Sequence, residues 1–321
     1  MLAVTCTSQS ADEPLSGLTV GEVADPTPPE GWVRVRVKAA SLNHHDLWSL
    51  RGVGLPADRL PMVLGCDAAG LDDDGNEVVV HGLVGDPDWT GDETLDPKRS
   101  ILSERYAGTL AESVVVPRRN LLPKPAALSF VEAACLPTAW LTAYRMLFTQ
   151  AGLSPGQRVL VQGAGGGVAT AAIALARAAG LTVWATSRDE AKRSRAAELG
   201  AHEVFESGAR LPGQVDAVIE TVGKATWSHS MRALRPGGTL VVSGATTGAD
   251  PSADLNRLFF LQLRVIGSTM GTLGELQSLL SLLSTSGVRP LVEATYALSD
   301  ARAAVARLAS GEVVGKLVLE P

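Results

Sequence analysis

The sequence predicts an α/β protein in which β-rich segments flank a doubly wound parallel sheet. Three observations carry that prediction. Residues 1–120 contain β-branched runs with period-2 alternation, such as "GWVRVRVKAAS". Beyond Pro125, strand-length and helix-length segments alternate, which calls for parallel pairing through right-handed crossovers. Between the first of those strands and its helix lies "QGAGGGVA", a turn dense in glycine.

In chain order, "GWVRVRVKAAS" sets Val on one face and Arg and Lys on the other, a half-buried strand. "NEVVVHGLV" and "LAESVVVP" are further strands, and "GDPDWTGDETLDPKRSILSERYAG" between them reads as a surface loop. "SFVEAACLPTAWLTAYRMLF" is apolar at helical spacing, with Ser129 as N-cap and Glu132 completing a capping box. Then follow strand "RVLVQG", helix "VATAAIALARAAG", strand "LTVWATS", helix "DEAKRSRAAELG", strand "AVIETVG", helix "TWSHSMRAL" and strand "GGTLVVSG". Two amphipathic helices and a closing strand, "GELQSLLSLLSTSG" and "SDARAAVARLASGEVVGKLVLEP", end the chain. The division expected is residues 1–124 with 271–321 as the β-rich unit, and 125–270 as the parallel-sheet unit.

Composition narrows the function. A chain of 321 residues, 45% hydrophobic and 19% charged, has the length and core material for about two globular domains. A net charge of −6 argues against a nucleic-acid partner, which needs clustered cations. Three widely spaced cysteines fit free thiols in the cytoplasm better than a disulfide framework. No Lys or Arg precedes Arg34, so no secretory leader is expected, and Arg177 and Gly180 interrupt the longest apolar stretch, so no membrane span is expected.

The glycine turn Ala164, Gly165, Gly166, Gly167, Val168 leads from a strand into a helix. That arrangement lets the backbone approach a pyrophosphate, which then rests on the free N–H groups and positive dipole of the helix. About 20 residues further on, an NAD site commonly carries an acid for the ribose 2′-OH. This chain has Ser187 and Arg188 there, with Lys192 one turn into the next helix; a hydroxyl and two cations suit the 2′-phosphate of NADPH. Asp189 and Glu190 read as helix caps.

"KAASLNHHDLW" and "MVLGCDAAG" bring His44, His45, Asp46, Cys66 and Asp67 into one short region, as a metal site, a thiol site or a pocket lining. A metal needs three converging ligands. His44 and His45 are adjacent, so on a strand or turn their side chains diverge and at most one faces Cys66. A free cysteine is most often a small buried hydrophobe. No metal is expected.

The order of motifs, "NHHDLW", "GCDAAG", "GTLAESVVVP", "AGGGVA", "LRPGGTLVVSG" and "GEVVGKLVLEP", resembles the medium-chain dehydrogenase/reductase superfamily, most of all its zinc-free quinone oxidoreductase branch. The resemblance implies a Rossmann dinucleotide-binding domain joined to a GroES-like catalytic domain. It also implies NADPH-dependent hydride transfer to a quinone or other α,β-unsaturated carbonyl. Where zinc enzymes of the superfamily carry Cys, His and Cys as catalytic ligands, this chain has Asn43, Cys66 and, nearby, Thr138. The lobe that holds structural zinc corresponds to residues 85–108, which contain no cysteine.

Reducing a simple ketone creates an alkoxide that normally calls for a Lewis acid, whereas an enone or quinone spreads the charge and needs only hydrogen-bond donors. The resemblance then implies Asn43 as a donor to substrate or nicotinamide ribose and His44 for proton delivery. Trp48 either stacks on a flat substrate or packs in the core, and Asp46 and Asp67 belong to the same cluster. Further cofactor contacts carried over by position are Thr142, Val222, Ser243, Gly244, Ala245, Ser268, Thr269 and Met270, with Lys316 reaching a phosphate. The strand "LRVIGSTMG" at 263–271 is expected to pair edge to edge in a homodimer. The alternatives are an enoyl or enone reductase of secondary metabolism, a zinc-dependent alcohol dehydrogenase with altered ligands, and a non-catalytic NADPH-binding protein.

Overall fold

The longest strand, Trp32–Ser41, organises the first of two units in the computed structural model, which describes residues 1–321. Val33, Val35 and Val37 along it are buried while Arg36 and Lys38 face outward, as the alternation predicts. Its first half pairs antiparallel with Ser113–Pro117, and its second half with Ala68–Leu71. Gly70 lies at that crossing, where a Cβ would stand 2.1 Å from the Arg36 carbonyl oxygen, so only glycine fits. Glu77–Val80 and Leu121–Pro123 extend the sheet on one side. On the other side Lys316–Glu320 pairs with the end of the long strand, Val318 opposite Ser41, and Val292–Ala297 lies parallel beyond it. The chain's last strand is thereby brought beside the segment leading into Asn43.

"NHHDLW" is helical here, not a strand or turn: Asn43 caps the helix His44–Leu50 and Asp46 closes a capping box on it. The acid three residues later is the reason: Asp46 accepts from the Asn43 N–H at 2.8 Å, while the Asn43 side chain itself makes no cap hydrogen bond. Ser129 and Glu132 cap the helix Phe130–Ala134 as the sequence predicts. That helix packs on the strands Trp32–Ser41 and Ala68–Leu71, so it belongs to the first unit. The first unit therefore comprises Met1–Ala139 with Met270–Pro321, and the second Trp140–Thr269. This moves the division away from the expected 124/125 and 270/271.

The second unit holds six parallel strands in the order Glu203–Phe205, Thr182–Thr186, Arg158–Val161, Val215–Glu220, Leu234–Val242, Arg264–Gly267. The order reverses between Arg158–Val161 and Val215–Glu220, and ligands of open α/β sheets bind beyond the carboxyl ends of strands at such a switch point. The helix Gly167–Ala178 buries Ala171, Ala172, Ile173 and Leu175, small and aliphatic residues that let it lie close to the sheet. No helix is long and apolar enough to cross a membrane.

Candidate active site

Within the second unit, the strand Arg158–Val161 opens into the glycine turn. Gly163 and Gly165 take left-handed φ values of +72° and +141°, which only glycine adopts freely. A Cβ on Gly163 would meet the Val222 Cγ2 at 2.5 Å, and one on Gly165 the Lys192 Cδ at 2.7 Å. Gly166 differs: a Cβ there would meet nothing within 4 Å, and no side chain caps the helix that begins after it. An uncapped helix start facing open space through a glycine is a cradle for an anion, and the pyrophosphate of a dinucleotide fits it. Ala164 is tied down by its N–H donating to the Thr186 carbonyl at 2.7 Å.

Thr186 ends the neighbouring strand, and Ser187 follows with its hydroxyl accepting from the Asp189 N–H at 3.2 Å. Asp189 caps the next helix by accepting from the Lys192 N–H, the cap role expected of it. Arg188 is exposed, and the Lys192 stem lies over Gly165. Arg193, which the sequence pattern does not single out, donates its guanidinium to the Ser187 carbonyl at 2.8 Å and so brings a third cation to this corner. Its place one turn beyond the Asp189 cap was the available signal.

Beneath these loops runs a buried polar chain. The Thr186 hydroxyl donates to Gln162 Oε1 at 2.5 Å; the Gln162 side-chain amide donates to His229 Nδ1 and Ser230 Oγ at 2.9 and 3.0 Å. Ser230 donates to Glu220, which also accepts from Thr226 and from the Val222 and Gly223 N–H groups. His229 Nε2 donates to the Ala209 carbonyl, and burial holds the imidazole pKa low, hence neutral. Ser243, Gly244 and Ala245 follow the strand Leu234–Val242, and Ser268 and Thr269 follow Arg264–Gly267, all at the carboxyl end of the sheet. Thr142 is buried in the helix Leu141–Tyr144. Met270 falls in the first unit instead.

The other cluster lies within the first unit. Asp67 is fully buried; its Oδ2 accepts from Ser41 Oγ at 2.7 Å and Asn43 Nδ2 at 2.8 Å, with Lys316 Nζ 3.5 Å away. The Lys316 ammonium, 3% exposed, donates to Asn43 Oδ1 at 2.6 Å and the Leu42 carbonyl at 2.7 Å. Two expectations change. Lys316 is turned inward and does not offer its charge to a phosphate, and the Asn43 amide is engaged at both ends rather than free for substrate.

Cys66 Sγ lies 3.3 Å from Thr138 Oγ1 and 3.6 Å from Asn43 Nδ2. Burial, then the charges of Asp67 and Asp46, hold its thiol pKa well above the ordinary value, so it is a neutral thiol. Asp46 is fully buried too, its pKa raised by burial, and accepts from the Asn43 N–H at 2.8 Å. Asp46 and Asp67 each keep one buried oxygen with no partner.

The two histidines part ways. His44 is exposed at the helix start; desolvation by its surroundings, then the cations Lys316 and Arg51, lower its pKa and keep it neutral at pH 7. An imidazolium donor is therefore not what His44 presents. His45 turns to Glu104, Nε2 to Oε1 3.0 Å, and although burial opposes charge, that bond and nearby Asp46 raise its pKa. Trp48 is half-buried with the Arg51 guanidinium 5.3 Å from its ring centre.

The residues present do not fit a catalytic zinc. No three His, Cys, Asp or Glu side chains are grouped to hold a metal ion. The one thiol is met by an amide N–H, and a lysine ammonium already lies among the carboxylates. In the 85–108 lobe, Asp96 accepts from the Asp86 and Lys98 N–H groups at 2.6 and 2.7 Å and Lys98 pairs with Asp86, so carboxylates knit the loop.

Comparison with known proteins agrees with this architecture. The alcohol dehydrogenase GroES-like domain family matches residues 29–126, and the zinc-binding dehydrogenase family matches residues 167–285. The acryloyl-coenzyme A reductase of Sulfurisphaera tokodaii is 28% identical, covering 96% of this chain and 98% of that one. The crystal structure of an NAD-dependent alcohol dehydrogenase superposes with a TM-score of 0.93 at 34% identity, all of both chains being covered. The 2-octenoyl-CoA carboxylase reductase CinF, in complex with NADP and 2-octenoyl-CoA, superposes at 0.90 with 26% identity, covering 99% of this chain and 87% of that one. With both domain families matched and a full-length relative this similar, the chain belongs to the medium-chain dehydrogenase/reductase superfamily.

Proposed function

We propose that the protein is an NADPH-dependent reductase of α,β-unsaturated carbonyls, with enoyl thioesters ahead of quinones, working without a metal. The observation that carries this reading is the donor set around Cys66: one neutral thiol, one engaged amide, one hydroxyl and a lysine ammonium. Such a set leaves the Thr138 hydroxyl as a hydrogen-bond donor to an enolate, over a buried positive charge that acts through space, rather than a cage for a Lewis acid. Relatives whose names make them reductases of acryloyl-CoA and 2-octenoyl-CoA favour a thioester over a quinone. NADP in the CinF complex, with Ser187, Arg188, Lys192 and Arg193 where an acid would serve NAD, supports NADPH.

When bound, NADPH supplies a hydride to the β carbon of the acceptor. The chain's own residues do the rest. The helix beginning at Gly167 receives the pyrophosphate charge, and Arg188 and Lys192 meet the 2′-phosphate while Arg193 steadies the Ser187 carbonyl. Thr138, less buried than Asn43 beside it, offers its hydroxyl to the oxygen on which charge develops. His44, held neutral, passes on a proton that originates in solvent.

A homodimer through the edge strand Arg264–Gly267 belongs to the same proposal. Val265 there is 44% exposed, and Phe259 and Phe260 nearby, 59% and 75% exposed, have ring centres 4.6 Å apart at a tilt of 32°. A cytoplasmic setting suits the three free, buried cysteines.

The test is consumption of NADPH and NADH by chelator-treated protein with crotonyl thioester, quinone and simple ketone acceptors. The thioester should turn over fastest and NADPH should be preferred. Activity on ketones alone, restored by added zinc, would select the alcohol dehydrogenase reading, supported by NAD-dependent relatives. No turnover at all would leave a cofactor-binding protein.

A further inference from the structure

We propose that Lys316 is the site's built-in cation: a positioning residue whose buried ammonium orients the Asn43 amide, balances Asp67 and sets the potential felt at His44. The backbone around it is fixed. Lys316 N–H donates to the Leu291 carbonyl, Leu42 N–H donates to the Leu317 carbonyl, and the closing strand pairs Val318 with Ser41 and Leu319 with Ala40. The side chain therefore has one direction to go, into the space among Leu42, Asn43 and Asp67. A lysine 3% exposed is rare unless its charge is matched, and Asp67, 0% exposed, is the matching ion.

The pairing has a consequence for Asn43. Its Oδ1 accepts from Lys316 and its Nδ2 donates to Asp67 and towards Cys66, so the amide is fixed in one orientation and polarised by charge at both ends. Replacing Lys316 removes the reason for that orientation. The carboxyl oxygens of Asp46 and Asp67 that lack a partner remain, and His45 is then the one other group in the cluster whose charge acts on them. Desolvation is the first influence on His44, and the charges of Lys316 on the closing strand and Arg51 at the end of its own helix follow. With Lys316 bonded to the neighbouring Leu42 and Asn43, the imidazole reports part of the ammonium's charge.

The test compares Lys316→Met, which keeps the apolar stem up to the ε position without the ammonium, with Lys316→Arg, which keeps the charge. Four quantities are read: the His44 pKa by NMR titration, the dissociation constant for NADPH, and kcat and KM for crotonyl thioester. In Lys316→Met the His44 pKa should rise part of the way to its ordinary value of 6.5, and in Lys316→Arg it should stay low. NADPH affinity should be unchanged in both. The kcat of Lys316→Met should fall on the order of 100-fold with little change in KM, and Lys316→Arg should recover part of it. The kinetic arm rests on the reductase reading; the NMR and cofactor arms do not. An unmoved His44 pKa in folded Lys316→Met overturns the proposal. So does a loss of NADPH affinity, which would return Lys316 to the phosphate. Should Lys316→Met fail to fold, Asp67→Asn decides: with the ammonium less balanced the His44 pKa should drop further, and no drop overturns the proposal.

Discussion

Two buried polar clusters, one in each unit, are built on opposite rules. In the second unit the chain Thr186, Gln162, Ser230, Glu220 assigns every hydrogen a single place: each donor has an acceptor, and neutral His229 fits as acceptor at Nδ1 and donor at Nε2. In the first unit Lys316, Asn43 and Asp67 form a charged cluster beside Asp46 and Cys66, and two carboxyl oxygens stay without partners. Buried polar groups are satisfied in nearly all native structures, so the exceptions call for a reason. The closed cluster fixes the shape of the loops at Gly163, Ser187 and Val222. The open one keeps unused hydrogen-bonding capacity where chemistry is proposed.

If that contrast is right, the largest loss of stability comes from the closed cluster. Glu220→Ala leaves four donors, the Val222 and Gly223 N–H groups and the Thr226 and Ser230 hydroxyls, without their buried acceptor. A loss of roughly 3 kcal/mol or more in urea unfolding is expected. A loss below about 1 kcal/mol would show that water or rearrangement satisfies those donors, and would blur the distinction between the clusters.

Cofactor choice sharpens the same contrast, because the closed cluster carries the loop that presents the cations. Arg188→Ala should weaken NADPH binding by about 1.5–3 kcal/mol and leave NADH binding as it was. Equal losses for both cofactors in calorimetry would remove Arg188 from the 2′-phosphate.

A smaller effect is expected from Cys66→Ser. The hydroxyl is costlier to bury than the thiol, so stability should drop by about 1 kcal/mol while turnover persists. The wild-type thiol, with its raised pKa, should resist alkylation at neutral pH. Rapid alkylation, or loss of activity in Cys66→Ser, would put the thiol into the chemistry.

The smallest effect concerns His45 and Glu104. A histidine whose folded pKa is raised stabilises the fold most below its unfolded value of 6.5, and that contribution disappears as pH rises through the folded pKa. Wild type should therefore exceed Glu104→Gln in stability by about 0.5–1 kcal/mol in mild acid, with the gap closing in mild alkali. A gap that widens with pH would reverse the sign and refute the pairing.

Local signals in the chain were legible. The Val alternation of Trp32–Ser41, the Ser129 capping box and the glycine turn each depend on neighbours a few residues apart, and the structure forms each of them. The contacts of Lys316 were not legible, because Asn43 lies 273 residues away in sequence and meets it only through pairing of the last strand with Trp32–Ser41. The helical start at His44 is written in the Asn43 and Asp46 spacing of a capping box, a signal masked by two adjacent histidines that resemble ligands. The partner of Arg193 is a backbone carbonyl, so only its place one turn beyond the Asp189 cap marks it in the sequence.

The central claim, hydride transfer to a conjugated carbon without a metal, is tested most directly by isotope. Metal-free protein is incubated with crotonyl thioester and NADPH deuterated at the transferring position, and the product is analysed by NMR. The account predicts one deuterium on the carbon β to the carbonyl and a rate unaffected by chelator or added zinc. Deuterium on the carbonyl carbon, or a reaction that starts only when zinc is supplied, would contradict it.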